Sequence, residues 1–213
     1  MQILLLFGVV LLIGGIGLWI DHRRAQLIKT VADELGFVYW QDGLYRLPNA
    51  ANQSNLFSRG RSGRLKNLIQ REQSDVTVSV GEYAYTTGGG KNRRRHRQTV
   101  VFIESEKLSL PQFFLAPENA FHKIGKLFGY QDINFNTHPD FSKRYLLRGT
   151  NEVSIRSAFH DGVLSFFEEH QRVCVEGSGS TLMYYYADRL HNPRKWEQLI
   201  AGAFKAYEQF SLS

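Results

Sequence analysis

One cysteine among 213 residues, Cys174, leaves no disulfide framework and no thiolate-rich zinc site. Prolines are few, 5 against 19 glycines, and no low-complexity linker interrupts the chain. Catalytic signatures are missing as well. Gly90-Lys91 is no phosphate loop, because Tyr85 and Asn92 stand where that motif needs glycine and Ser or Thr. Gly15 and Gly17 are followed by Ile20 where a dinucleotide fingerprint needs its third glycine. Neither a G-x-S-x-G elbow nor an H-E-x-x-H pair occurs. Seven histidines are scattered without the spacing of a short-range metal pair, so no cofactor is expected. No internal repeat or second domain is marked. The sequence therefore names no reaction.

What remains is ordinary globular composition, 43% hydrophobic and 22% charged, with an unusual amino terminus. Ile3 to Ile20 is an uncharged run of apolar and glycine residues, about 27 Å long as a helix and close to the hydrocarbon thickness of a bilayer. Trp19 suits a headgroup boundary, and the basic start and small-residue cleavage site of a secretory signal are lacking. These features predict an uncleaved transmembrane anchor over residues 1–22. Arg23, Arg24 and Lys29 follow the run and no basic residue precedes it, which predicts a single-pass protein of the cell membrane with its C-terminal domain in the cytoplasm.

Residues 23–213 read as one α+β domain, an antiparallel sheet with helices packed mainly on one face. Leu27, Ile28, Val31, Ala32 and Leu35 form a helical stripe that Gly36 stops. Phe37–Trp40 and Leu44–Leu47 around Asp42-Gly43 predict a hairpin, and 49–63 a loop with a short strand at Leu56-Phe57. Val76, Val78 and Val80 alternate with polar residues in a strand, which Thr99–Glu104 matches across a glycine-rich, basic loop. Gln112–Leu115 predicts a strand, Glu118–Leu127 a helix, Phe141–Arg148 a strand, and Asn151 onward one helix through Phe167. Arg172–Glu176 and Thr181–Tyr186 predict a hairpin, and Pro193 opens a final helix. In a strand Tyr185 points opposite to Tyr184 and Tyr186, so the three make no stacking platform. Cys174, between two valines, reads as a buried, inert thiol.

Four strings bear a resemblance: Leu110–Glu118, Lys123–Phe135, Pro139–Gly149 and Val175–Gly179. Over residues 75 to 210 they resemble a family of uncharacterised bacterial membrane-anchored proteins with one N-terminal transmembrane helix and a small cytoplasmic α+β domain. The resemblance implies a bacterial membrane protein and brings no activity, cofactor or catalytic residue.

Two functional readings stand. The first is a non-enzymatic interaction domain displayed at the membrane. The net charge is +6, and Lys91, Arg93, Arg94, Arg95 and Arg97 account for five of those charges at the tip of a predicted hairpin. Such a loop suits anionic lipid headgroups or an acidic protein partner. Nucleic acid is disfavoured, because the loop has no aromatic residue and no RNA-recognition signature accompanies it. The second reading is a hydrolase or small-ligand-binding enzyme with a site assembled from dispersed residues near Asp132, His138 and Asp140. For the charged residues around these, including Arg144, Arg148, Glu152 and Arg156, capping and ion pairing are the simpler expectation.

Overall fold

The computed structural model describes residues 2–47, 51, 54–118 and 131–211. In chain order the strands are β1 (Val38–Asp42), β2 (Arg61–Gln73), β3 (Val76–Thr87), β4 (Arg94–Ser105), β5 (Leu110–Pro117), β6 (Tyr145–Gly149), β7 (Cys174–Gly179) and β8 (Thr181–Tyr185). The helices are α1 (Gln2–Leu35), α2 (Pro139–Arg144), α3 (Glu152–Ala158), α4 (Asp161–Glu169) and α5 (Trp196–Ser211). The strands form one antiparallel sheet in the order β1-β2-β3-β4-β8-β7-β5-β6. This is an α+β fold, as expected.

Period-two alternation gives the sheet two apolar faces. On one, Val78 and Val80 of β3, Val101 and Ile103 of β4, and Leu182 and Tyr184 of β8 meet Ile28 and Ala32 of α1 and the apolar stripe of α5. That stripe, Trp196, Leu199, Ile200, Ala203 and Tyr207, recurs at helical spacing, and each large side chain buried there contributes about 1.5–3 kcal/mol. On the other face, Tyr83, Tyr85, Val100, Phe102 and Tyr185 are covered by Leu47, Ala51 and Leu56 from the segment between β1 and β2. Tyr185 thus lies opposite Tyr184, as the alternation requires.

Several expectations are corrected. Among the described residues, no helix is long and apolar enough to cross a membrane, so the expected transmembrane helix is not found. Instead α1 runs unbroken to Leu35, and its last turns belong to the domain: Ile28 and Ala32 join the core on the sheet, and Val31 is buried as well. Gly36, at φ +70, ends it. The hairpin expected around Asp42-Gly43 does not form, because Leu44–Arg46 winds into a 3-10 turn, with the Leu44 amide donating to Asp42 Oδ1. Its first half, β1, pairs with β2. Leu56-Phe57 is turn, not strand. Phe141–Arg148 begins as α2, with Pro139 at its start, and turns to strand only at Tyr145. The single helix expected after Asn151 is two, because His160 caps α4 by accepting from the Gly162 amide. Apart from Glu118, the helix expected at Glu118–Leu127 lies outside the described residues.

Candidate functional site

The basic run is not a loop throughout. Only Lys91 and Arg93 sit at the hairpin tip, where Gly88 (φ +68) and Gly90 (φ +52) supply left-handed turn conformations. From Arg94 the chain is already β4, and alternation sorts the cations onto opposite faces. Arg94 and His96 point to one side, where Asp188 takes both: its Oδ2 lies 3.2 Å from Arg94 Nη2 and its Oδ1 2.6 Å from His96 Nδ1. The His96 ring also stacks on Tyr85, centroids 4.7 Å apart. Arg95 and Arg97 point to the other side, the face on which α1 lies.

There they meet basic residues from distant parts of the sequence. Arg97 and Arg64 both pair with Ala84, one from each flanking strand, and Lys66 pairs with Glu82. A cleft of about 370 Å³ opens between these strands and α1, lined from the helix by Asp21, His22, Ala25, Gln26 and Lys29. Five cations (Lys29, Arg64, Lys66, Arg95 and Arg97) face two carboxylates, Asp21 and Glu82. Among the described residues, Arg64, Lys66, Arg95 and Arg97 make no ion pair. Glu82, only 7% exposed, is already spoken for. Its carboxylate takes Arg24 Nε on one oxygen and Asn67 Nδ2, at 3.0 Å, on the other. Arg24 also donates to the His191 carbonyl at 2.7 Å, and the Tyr39 hydroxyl holds Asn67 Oδ1 at 2.8 Å. A rigid, internally satisfied floor therefore carries a rim of unpaired positive charge.

The reading from sequence missed Arg64, Lys66 and Lys29. Continuing the alternation of β4 upstream from Thr99 would have separated Arg95 and Arg97 from Arg94; nothing local marks Arg64 or Lys66 as their neighbours.

Asp132, His138 and Asp140 each have a separate structural place. Asp132 Oδ1 accepts from the Leu147 amide at 2.9 Å, and burial raises its pKa against that bond. His138 Nδ1 lies 3.9 Å from the exposed Asp161 carboxylate, with Nε2 3.5 Å from Ser165 Oγ. Asp140 sits in the first turn of α2. Arg156 pairs with Glu152 at 2.7 Å along one helix, and Arg144 donates to the Glu168 carbonyl at 2.8 Å. Among the described residues no cluster of three His, Cys, Asp or Glu is placed to hold a metal ion.

On the opposite face of the sheet, Glu176 is a buried clamp. Its carboxylate accepts from the amides of Asn55 (2.6 Å) and Leu56 (3.0 Å) and from the Tyr185 hydroxyl (2.9 Å), pinning the covering segment down. Burial raises its pKa, opposed by nearby Arg59. Beside it the Cys174 thiol is fully buried and pushed up to about 12, mainly by desolvation, which makes it inert at neutral pH.

The chain thus has the architecture of an eight-stranded antiparallel α+β domain with a basic cleft at the edge of its helical layer. It is similar in fold to the mycobacterial trehalose monomycolate transport factor A, TtfA, whose crystal structure it matches with a TM-score of 0.60 at 12% identity, over 88% of this chain and 92% of that one. At that identity the likeness shows the fold alone. No family model matches the sequence, and no curated protein does. The resemblance to single-span membrane-anchored proteins is corrected accordingly: the structural neighbour found is TtfA, and no described helix is long and apolar enough to cross a membrane.

Proposed function

We propose that this chain is a non-enzymatic interaction module that engages an anionic partner, headgroups of the cytoplasmic membrane leaflet or an acidic protein segment, through its basic cleft. The observation that carries the reading is the charge of the cleft: five cations against two carboxylates, one of them already held by Arg24. Cations left without counter-charge on a rigid floor are poised to accept one from outside. Arg95 and Arg97, and across β3 Arg64 and Lys66, supply the contact. Lys91, Arg93 and Arg94 extend positive charge along the same hairpin and steer approach. The structural neighbour is named as a transport factor, which is in keeping with an interaction role.

Flotation of the full chain with phosphatidylcholine vesicles, with and without phosphatidylglycerol, at 0.05 and 0.5 M salt, tests this, alongside binding to polyglutamate. Binding confined to an anionic partner and weakened by salt is expected, because screening shortens the reach of exposed charge from roughly 14 Å to about 4 Å over that range. Indifference to both anionic probes would refute the proposal.

A further inference from the structure

Resting on that reading, we propose that the cleft is a headgroup site for a phosphate-bearing lipid, and that the lipid surface covers the apolar stretch of α1 that leads into it. Three observations join here. The first is the geometry of the cations. Arg64 and Arg97 flank Ala84 on either side, so their strands lie about 9.5 Å apart, two strand spacings. Between them is only a methyl group, which leaves room for one tetrahedral phosphate to be gripped from both sides by planar guanidinium forks. Lys66 and Arg95 bound the same opening.

The second is the stretch of α1 before the cleft. Leu12, Ile16, Trp19 and Ile20 lie on one side of the helix and Leu18 on another, each at least half exposed, with exposed glycines on the remaining side and no charged residue from Ile3 to Ile20. A contiguous exposed apolar surface of this kind is one that something apolar covers. The third is continuity. Asp21 and His22, which line the cleft, directly follow Ile20, and the cleft wall ends at Lys29, about 14 Å further along the helix. Arg23 lies over the Trp19 ring, 5.0 Å from its centroid, at the junction. An apolar helix passing within one turn into a cationic cleft matches the order of acyl chains, interface and phosphates in a lipid surface. An acidic protein segment would account for the charge but not for the apolar helix beside it.

The test compares two charge-matched double variants of the full chain, R64Q/R97Q inside the cleft and K91Q/R93Q at the hairpin tip, in flotation with vesicles containing phosphatidate. All four side chains are exposed, and unchanged thermal melts establish intact folding. The cleft variant is expected to lose about 30-fold in affinity, the effect of two basic residues at a lipid surface, and the tip variant less than 3-fold. Equal losses would overturn the headgroup site while leaving the proposed anionic interaction standing. Loss of neither, with no preference for phosphatidate over phosphatidylcholine, would overturn both. Polyglutamate binding that R64Q/R97Q abolishes, with vesicle binding untouched, would assign the cleft to an acidic protein and refute the lipid. In vesicles with brominated acyl chains, the fluorescence quenching expected for the native chain disappears in W19F. Quenching that persists in W19F, or that never occurs, overturns the burial of α1 in lipid.

Discussion

Removing the Arg24 side chain is expected to unlatch α1 from the sheet, and the contacts set the size of the effect. Arg24 makes two charge-assisted hydrogen bonds, to the Glu82 carboxylate and to the His191 carbonyl, joining the helix to β3 and to the turn after β8. In R24A the Glu82 carboxylate, 7% exposed, keeps only the Asn67 amide as a described partner. Breaking a buried pair from one side costs about 3–5 kcal/mol, and the 21% exposure of Arg24 favours the lower end, about 3 kcal/mol. With a urea m-value of about 2 kcal/mol/M, the unfolding midpoint falls by about 1.5 M. E82Q alone leaves Arg24 with the His191 carbonyl and a neutral acceptor, and costs about 1 kcal/mol. In the double variant no charge is stranded, so the loss is smaller than the sum by about 1–2 kcal/mol. Urea melts of all four proteins measure that coupling. Additivity within about 0.5 kcal/mol would refute the claim that a stranded carboxylate causes the instability.

Two further outcomes follow from packing and titration. A Cβ at Gly177 would run into Cε1 of Phe113, a ring itself wedged against Phe159 and Phe210, so G177A should lower stability by about 3 kcal/mol; a melt within about 0.5 kcal/mol of native would show that the ring can yield. His191 is held down to about 4 from 6.5, first by burial and then by Arg189. The folded chain thus binds this proton less readily than the unfolded one, so its share of stability is intact above pH 6.5 and is lost as pH falls toward 4. With discount for half exposure, H191Q should be less acid-sensitive than the native chain by about 1 kcal/mol between pH 7.5 and 4.5; parallel pH profiles would refute this.

Regular, two-faced elements were legible in the sequence. Val76, Val78 and Val80 announced β3, and the apolar stripe after Pro193 announced α5, because each repeats with the period of its structure. Strand β2 was not legible, because its register with β3 slips between Arg61 and Arg64 and again between Lys66 and Ile69. Ser62 (φ +56) and Asn67 (φ +52) mark those bulges, and neither residue type signals one by itself. Local pairing misled at Asp42-Gly43, where tertiary contact with β2 replaced the hairpin. Of the cleft, the charge of Arg95 and Arg97 was visible but not their direction. Arg64 and Lys66 lie roughly thirty positions away, and only the sheet order makes them neighbours.

The bulge at Asn67 changes the parity of β2. Before it, even-numbered residues share the face of α1, Arg64 and Lys66 among them; after it, odd-numbered residues do, beginning with Ile69 in the core. By setting one residue outside the alternation, the bulge lets a single strand serve a wet basic end and a dry apolar end on the same side of the sheet. Were the same residues held in regular alternation, the two halves would be out of phase. With Ile69 in the core, Leu65 would turn into the cleft and Arg64 and Lys66 into the opposite apolar layer, so the left-handed backbone at Asn67 (φ +52) is as strict a requirement for the site as the charges it carries.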